Sequence, residues 1–195
     1  MNAYYPAFIN LTARRCLVVG GGQVAERKII SLIKAGGDVI VVSPKITDRI
    51  KKEADKGSIK VRLRRYRSSD MKGVFLAIAA TDSYTDNKKI SDDAHKTNIL
   101  INVVDTPALC SFIVPSTVSR GPLTIAISTS GSSPAVAKTI RKELEGLYGA
   151  EFGVYLTELK RQREEILNKT QDKKERERLL NALVPKDILE RIRKK

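Results

Sequence analysis

Three consecutive glycines, Gly20-Gly21-Gly22, come directly after the apolar run Cys16-Leu17-Val18-Val19. They open a stretch in which Val24, Ala25, Ile29, Leu32 and Ile33 recur at helical spacing, and Gly36-Gly37 ends that stretch. Val39 to Val42 is then a second β-branched run. Short apolar runs of this kind suit strands buried on both faces of a parallel sheet. Two such strands joined through a helix make one βαβ unit, whose crossover is expected to be right-handed. Few folds satisfy that constraint.

The alternation continues. Thr47 to Asp55 reads as a helix, Ile59 to Leu63 and Val74 to Ala79 as strands, Asp86 to Thr97 as a helix and Ile99 to Val104 as a strand. The expected class is α/β, a Rossmann-like doubly wound parallel sheet. After Asp105 the rhythm changes. Phe112-Ile113-Val114 and Leu123 to Ser128 read as strands separated by Ser119-Arg120-Gly121-Pro122, which suits a hairpin or meander. Pro134 to Leu147 reads as a helix capped by Ser133. From Glu151 the chain reads as charged helices, with Pro185 interrupting before a short last one. The expected organisation is a Rossmann-like domain over 1–112, a small β-rich dimerisation module over 113–149 and a helical C-terminal subdomain over 150–195.

Gly20-Gly21-Gly22-Gln23-Val24-Ala25 matches the G-x-G-x-x-G/A fingerprint. Gly20 permits the tight turn, Gly22 lets backbone approach a pyrophosphate, and Ala25 permits close helix–strand packing. The N–H groups of Gln23 and Val24 sit at a helix start, which favours an anion. The position after a strand and before a helix is the context that gives the pattern meaning. No acid ends the second strand. Ser43-Pro44-Lys45 stands there instead, so Ser43 is expected to bond a ribose hydroxyl, whereas Lys45 equally suits a 2′-phosphate. Thr81 and Asp82 close the fourth strand beside the expected cofactor, with Asp82 as an alternative helix cap. Asp105 closes the fifth, placed to accept a proton or orient a substrate. The loop Ser128-Thr129-Ser130-Gly131-Ser132-Ser133 offers hydroxyls and N–H groups to an anion such as a substrate carboxylate, with Ser128, Ser130 and Ser132 as the candidates.

Net charge is +14, densest from Lys45 to Lys72, where 11 basic residues face 4 acidic ones. Such a field steers anions without naming one. Arg62, Arg64 and Arg65 lack the aromatic interleaving of a nucleic-acid surface, and no nucleic-acid partner is expected. His95 is the only histidine, which excludes a multi-histidine metal site, and its polar neighbours place it on a solvated helix face. Cys16 and Cys110 are not spaced as a metal or redox motif, and Cys16 reads as a core residue. The opening residues lack the regions of a signal peptide. No apolar stretch approaches the roughly 18–20 residues of a membrane span, so no membrane association is expected and the expected location is cytoplasmic.

Several blocks appear together in order: Tyr5 to Leu11 (YPAFINL), Cys16 to Lys28 (CLVVGGGQVAERK), Ala79 to Asp82 (AATD), Ile101 to Asp105 (INVVD), Ala108 to Pro115 (ALCSFIVP) and Gly121 to Ala135 (GPLTIAISTSGSSPA). In this the chain resembles the precorrin-2 dehydrogenase family, including the N-terminal part of multifunctional siroheme synthases. The resemblance implies NAD-dependent oxidation of precorrin-2 to sirohydrochlorin, and a homodimer to which the segment after Asp105 contributes. It implies that Gly20, Gly22, Gln23 and Val24, with Ser43, Pro44 and Lys45, contact the dinucleotide. Asp105 matches the family's key aspartate, as general base or, where a member also chelates, as iron ligand. Some members do both. With no histidine partner in view, the expectation is a dehydrogenase alone. A non-catalytic redox sensor reading through the basic surface is the rival, disfavoured by the absence of any reader module.

Overall fold

The computed structural model describes residues 4–183, and the short helix expected after Pro185 lies outside them. The chain packs as two units, Ala3–Val114 and Pro115 onward.

The first unit is a five-stranded sheet of β1 (Arg15–Val19), β2 (Asp38–Val42), β3 (Ile59–Arg62), β4 (Leu76–Ala79) and β5 (Leu100–Val103). All pairs are parallel, in the spatial order β3-β2-β1-β4-β5. Helices α1 (Gln23–Lys34), α2 (Asp48–Asp55) and α3 (Tyr84–Lys96) connect the strands. Alternation along the strands explains why helices cover both faces. Cys16, Val18, Val39, Val41, Leu76 and Ile78 pack with Ala25, Ile29 and Leu32 of α1 and Ile50 of α2. Their neighbours Leu17, Val19, Ile40, Val42, Ala77, Ala79, Ile101 and Val103 pack with Ile90 and Ala94 of α3 on the other face. Cys16 is wholly buried, and burial pushes its thiol up to about 11. His95 is exposed on α3 and bonds the Ser91 carbonyl of its own helix at 2.8 Å.

Helix α3 begins two residues earlier than the pattern suggested, because Ser83 rather than Asp82 is the cap: its Oγ accepts from Asp86 N at 3.1 Å. The strand expected at Phe112–Val114 does not form. That segment turns back against β5, with Phe112 N–H donating to Ile101 O and Asn102 Nδ2 donating to Phe112 O at 3.1 Å. Pro115, which has no N–H for a ladder, separates it from the hairpin that begins at Ser116.

In the second unit β6 (Ser116–Arg120) and β7 (Leu123–Ile127) form an antiparallel hairpin through Gly121-Pro122. Helices α4 (Pro134–Leu147), α5 (Ala150–Lys169) and α6 (Lys173–Ala182) come after it. The hairpin and α5 belong together because Gly121 and Gly153 bring two backbones too close for a side chain on either. Arg120 reinforces the junction by donating Nε–H to Tyr148 O at 2.8 Å, and Phe152 is buried beside it, edge-on to Tyr148. Among the described residues no helix is long and apolar enough to cross a membrane.

Candidate functional site

The strand order reverses between β1 and β4, where connections leave to opposite sides and open a crevice at the carboxyl ends of the strands. The three glycines fill this point with three different roles. Gly20 has φ +126°, a conformation that side chains rarely adopt, and a methyl on it would run into the Ala80 carbonyl oxygen at the end of β4. Gly21 packs under the loop after β2, where a methyl would meet the Lys45 carbonyl oxygen and the Ser43 hydroxyl. Gly22 faces open space. It is the N-cap of α1, extended at φ −82°, and no side chain caps the helix behind it. The first N–H groups of α1, those of Gln23 and Val24 included, therefore have no capping side chain, with the helix dipole behind them.

These residues line a crevice of about 1150 Å³. Its wall from β2 is Ser43, Pro44 and Lys45. Ser43 is buried, and its hydroxyl donates to Lys45 O at 2.6 Å, folding the loop over Gly21. Pro44 and Lys45 are exposed on the rim. Arg65 and Tyr66 continue this wall, held by a clasp around Asp70. Asp70 is 4% exposed and accepts from Arg62 at 2.5 Å, from Arg64 at 2.6 and 2.8 Å, and from Arg67 N–H at 2.9 Å. Burial alone would push its carboxyl up, but the Arg64, Arg67 and Arg62 donors outweigh it and hold it at about 2. Tyr66 donates its hydroxyl to Asp93 on α3 at 2.9 Å, and burial together with that bond pushes its phenol up, so it stays a neutral donor.

The wall from β4 is Thr81 and Asp82. A residue the sequence did not single out fixes this loop. Asn87, 6% exposed on α3, donates to Thr81 O at 3.0 Å and accepts from the Thr81 hydroxyl at 2.7 Å and its N–H at 3.3 Å. The wall from β5 ends on Asp105, exposed at the crevice rim with φ +57°. Lys28 of α1 shares its neighbourhood: burial and Arg27 push its ammonium down, while the Asp105 carboxylate pulls it up. The crevice thus brings together Gly20, Gly22, Gln23, Val24, Ser43, Pro44, Lys45, Thr81 and Asp105.

In the second unit Ser128, Ser130 and Ser132 are exposed, and Ser130 sits at φ +51°. Ser128 Oγ accepts from Ser130 N–H at 3.0 Å. Thr129 Oγ1 accepts from Ser133 N–H and donates to Ser133 O, each at 3.1 Å. Ser133 Oγ caps α4 by accepting from Val136 N–H at 3.3 Å. Among the described residues no group of three or more His, Cys, Asp or Glu comes together.

A parallel sheet whose order reverses at an uncapped, glycine-led helix defines a dinucleotide-binding Rossmann fold. The chain belongs to the family described as "Putative NAD(P)-binding", which matches residues 7–116. Residues 120–147 match a second family, described as "Sirohaem biosynthesis protein central". The chain is 43% identical over 148 residues to a siroheme synthase of Methylobacillus flagellatus, an alignment covering 76% of this chain and 32% of that protein. It is 40% identical over 150 residues to a siroheme synthase of Nitrosococcus oceani, covering 77% and 32%. The chain thus spans about a third of the length of these curated relatives. A solved structure of SirC, a precorrin-2 dehydrogenase, superposes with a TM-score of 0.84 at 28% identity, covering 98% of this chain and 100% of that one.

Proposed function

We propose that the chain is an NAD-dependent dehydrogenase that oxidises precorrin-2 to sirohydrochlorin in sirohaem biosynthesis. The observation that carries this reading is one crevice holding both an uncapped helix start behind Gly22 and a carboxylate, Asp105, on its rim. The likeness to SirC, over 98% of this chain and 100% of that one, supports the substrate.

The fit to a dinucleotide rests on the glycines: two are filled from behind by Ala80 and Lys45, and the third is open. The N–H groups of Gln23 and Val24 would hold its pyrophosphate, with Gly20 and Gly22 allowing close approach. Ser43, Pro44 and Lys45 would flank its adenosine end, and Thr81 its inner half. We assign NAD rather than NADP. When bound, the nicotinamide supplies the hydride acceptor. Asp105 takes the proton that leaves as the substrate gives up its hydride, so precorrin-2 loses two hydrogens in all. Ser128, Ser130 and Ser132 are assigned to substrate carboxylates, and the net charge of +14 to steering that polyanion. The protein acts in the cytoplasm as a homodimer assembled through 113–149, with neither nucleic acid nor membrane among its partners.

Anaerobic mixing of protein, NAD and precorrin-2 tests this by NADH absorbance and the sirohydrochlorin spectrum. Asp105→Ala is expected to lower turnover by roughly 10²–10⁴-fold while NAD affinity holds. A folded protein giving neither product would overturn the assignment, and an active Asp105→Ala would overturn the role of Asp105.

A further inference from the structure

Asp105 sits in a turn closed by its own long bonds, Thr106 N–H to Val103 O at 3.3 Å and the Thr106 hydroxyl to Val104 O at 3.4 Å. Its φ of +57° lies in the left-handed region, which non-glycine residues adopt uncommonly and aspartate more readily than most. The turn leaves β5 at Val103, and its far side begins at Thr106. Cys110, half-buried after a short helical turn over Pro107–Leu109, reaches both. Its Sγ accepts from Val103 N–H at 3.1 Å, and lies 3.3 Å from Val103 O and 3.4 Å from Thr106 O, each of which accepts one backbone N–H and has a second lone pair within reach of the S–H. Burial pushes the thiol up, outweighing the Val103 bond that pulls it down, so the S–H is retained near neutrality. Cys110 is itself fixed from behind. Its neighbour Ser111 accepts from Ile101 N–H at 2.8 Å through Oγ, and Ser91 of α3 donates to Leu109 O at 2.7 Å. The edge of β5 is thereby closed by side chains where another strand would otherwise pair.

We propose that Cys110 is a positioning residue for Asp105, its thiol clamping the two sides of the turn that presents the carboxylate. This rests on reading Asp105 as the proton acceptor. None of the clamp's hydrogen bonds reaches the glycine loop or the Ser43–Lys45 wall, so it is expected to act on the chemical step and to leave dinucleotide binding alone.

Cys110→Ala is expected to lower kcat for precorrin-2 oxidation about tenfold or more, with the Kd for NAD within about twofold of wild type. Cys110→Val, which keeps the side chain's bulk, carries the same expectation should the alanine variant fold poorly. Cys110→Ser, with a donor and acceptor restored, is expected to recover most of the loss. In an Asp105→Asn background Cys110→Ala should change kcat no further, because the group it positions has gone. An effect of equal size in that background, or a loss of NAD affinity matching the loss of kcat, overturns the positioning role. Full turnover in Cys110→Ala and Cys110→Val beside an inactive Asp105→Asn overturns this inference alone. Wild-type turnover in Asp105→Asn overturns the reading of Asp105 and the inference with it.

Discussion

Two helices in this chain begin at loops rich in small residues, and they finish their backbones in opposite ways. Helix α4 begins behind Ser133, whose hydroxyl caps it, while Thr129 and Ser128 bond within the same loop. Helix α1 begins behind Gly22, and no side chain caps it. The four orphan N–H groups of any helix start must find partners somewhere. At α4 the loop supplies one for itself. At α1 the loop is spent on steric closeness to Ala80 and Lys45, and no side chain takes up the donors. Glycine-rich and serine-rich starts look alike as anion sites in a sequence, and the difference is which of them is already satisfied.

The sharpest way to break this comparison lies inside the glycine triplet. Gly21→Ala drives a methyl into backbone at Lys45, which cannot yield as a flexible side chain would. A loss of about 3 kcal/mol and a fall in Tm of more than roughly 10 °C are expected. Gly22→Ala puts the same methyl into open space. Its stability should change by less than about 1 kcal/mol, while the Kd for NAD rises about tenfold or more. Calorimetry and fluorescence titration on the pair check this. Equal losses of stability in both would show that Gly22 is structural like its neighbour.

The next effect concerns what holds the crevice wall. Asp70 is buried within its arginine clasp and titrates at about 2, below its ordinary 3.8. A depressed carboxyl stabilises the fold fully above its unfolded value, and that stability drains away as pH falls through the folded one. About 2 kcal/mol should be lost between roughly pH 4.5 and 2. Asp70→Asn should be less stable at pH 7 and flatter across that window, measured by urea midpoints. The second unit has charged pairs too, such as Arg161 with Glu158 at 2.6 Å, but they lie exposed on helix surfaces. Pairs of that kind contribute about 0–1 kcal/mol, so its helical signal should show little of this pH dependence.

Much of the first unit was legible because most of its strands are short apolar or β-branched runs bounded by turn residues, and α1 carries a clean apolar stripe. The crevice residues came with it, since fingerprint and strand ends fix them together. Phe112–Val114 was misread because three apolar residues have strand composition whether they pair or return to the core. Asn87, Cys110 and the middle glycine left weaker marks. Each acts on backbone far off in sequence or on a loop's interior, and no spacing rule registers that. Cys110 does lie in one of the blocks that carry the family resemblance, but nothing in ALCSFIVP sets its thiol apart from its neighbours.

The smallest effect tests the other half of the comparison. Ser133→Ala removes the one side-chain partner that α4 has at its start, leaving Val136 N–H to water. The expected cost is about 1 kcal/mol. If the serine loop is closed upon itself, NAD affinity should not move and turnover should fall no further than stability explains. Ser130 and Ser132 differ, because their hydroxyls are exposed. Replacing either by Ala should leave Tm unchanged and raise KM for the tetrapyrrole a few-fold, as loss of one hydrogen bond to a charged group implies. A rise in KM for Ser133→Ala equal to theirs would mean that the cap and the binding surface are the same thing. The two helix starts would then differ in degree and not in kind.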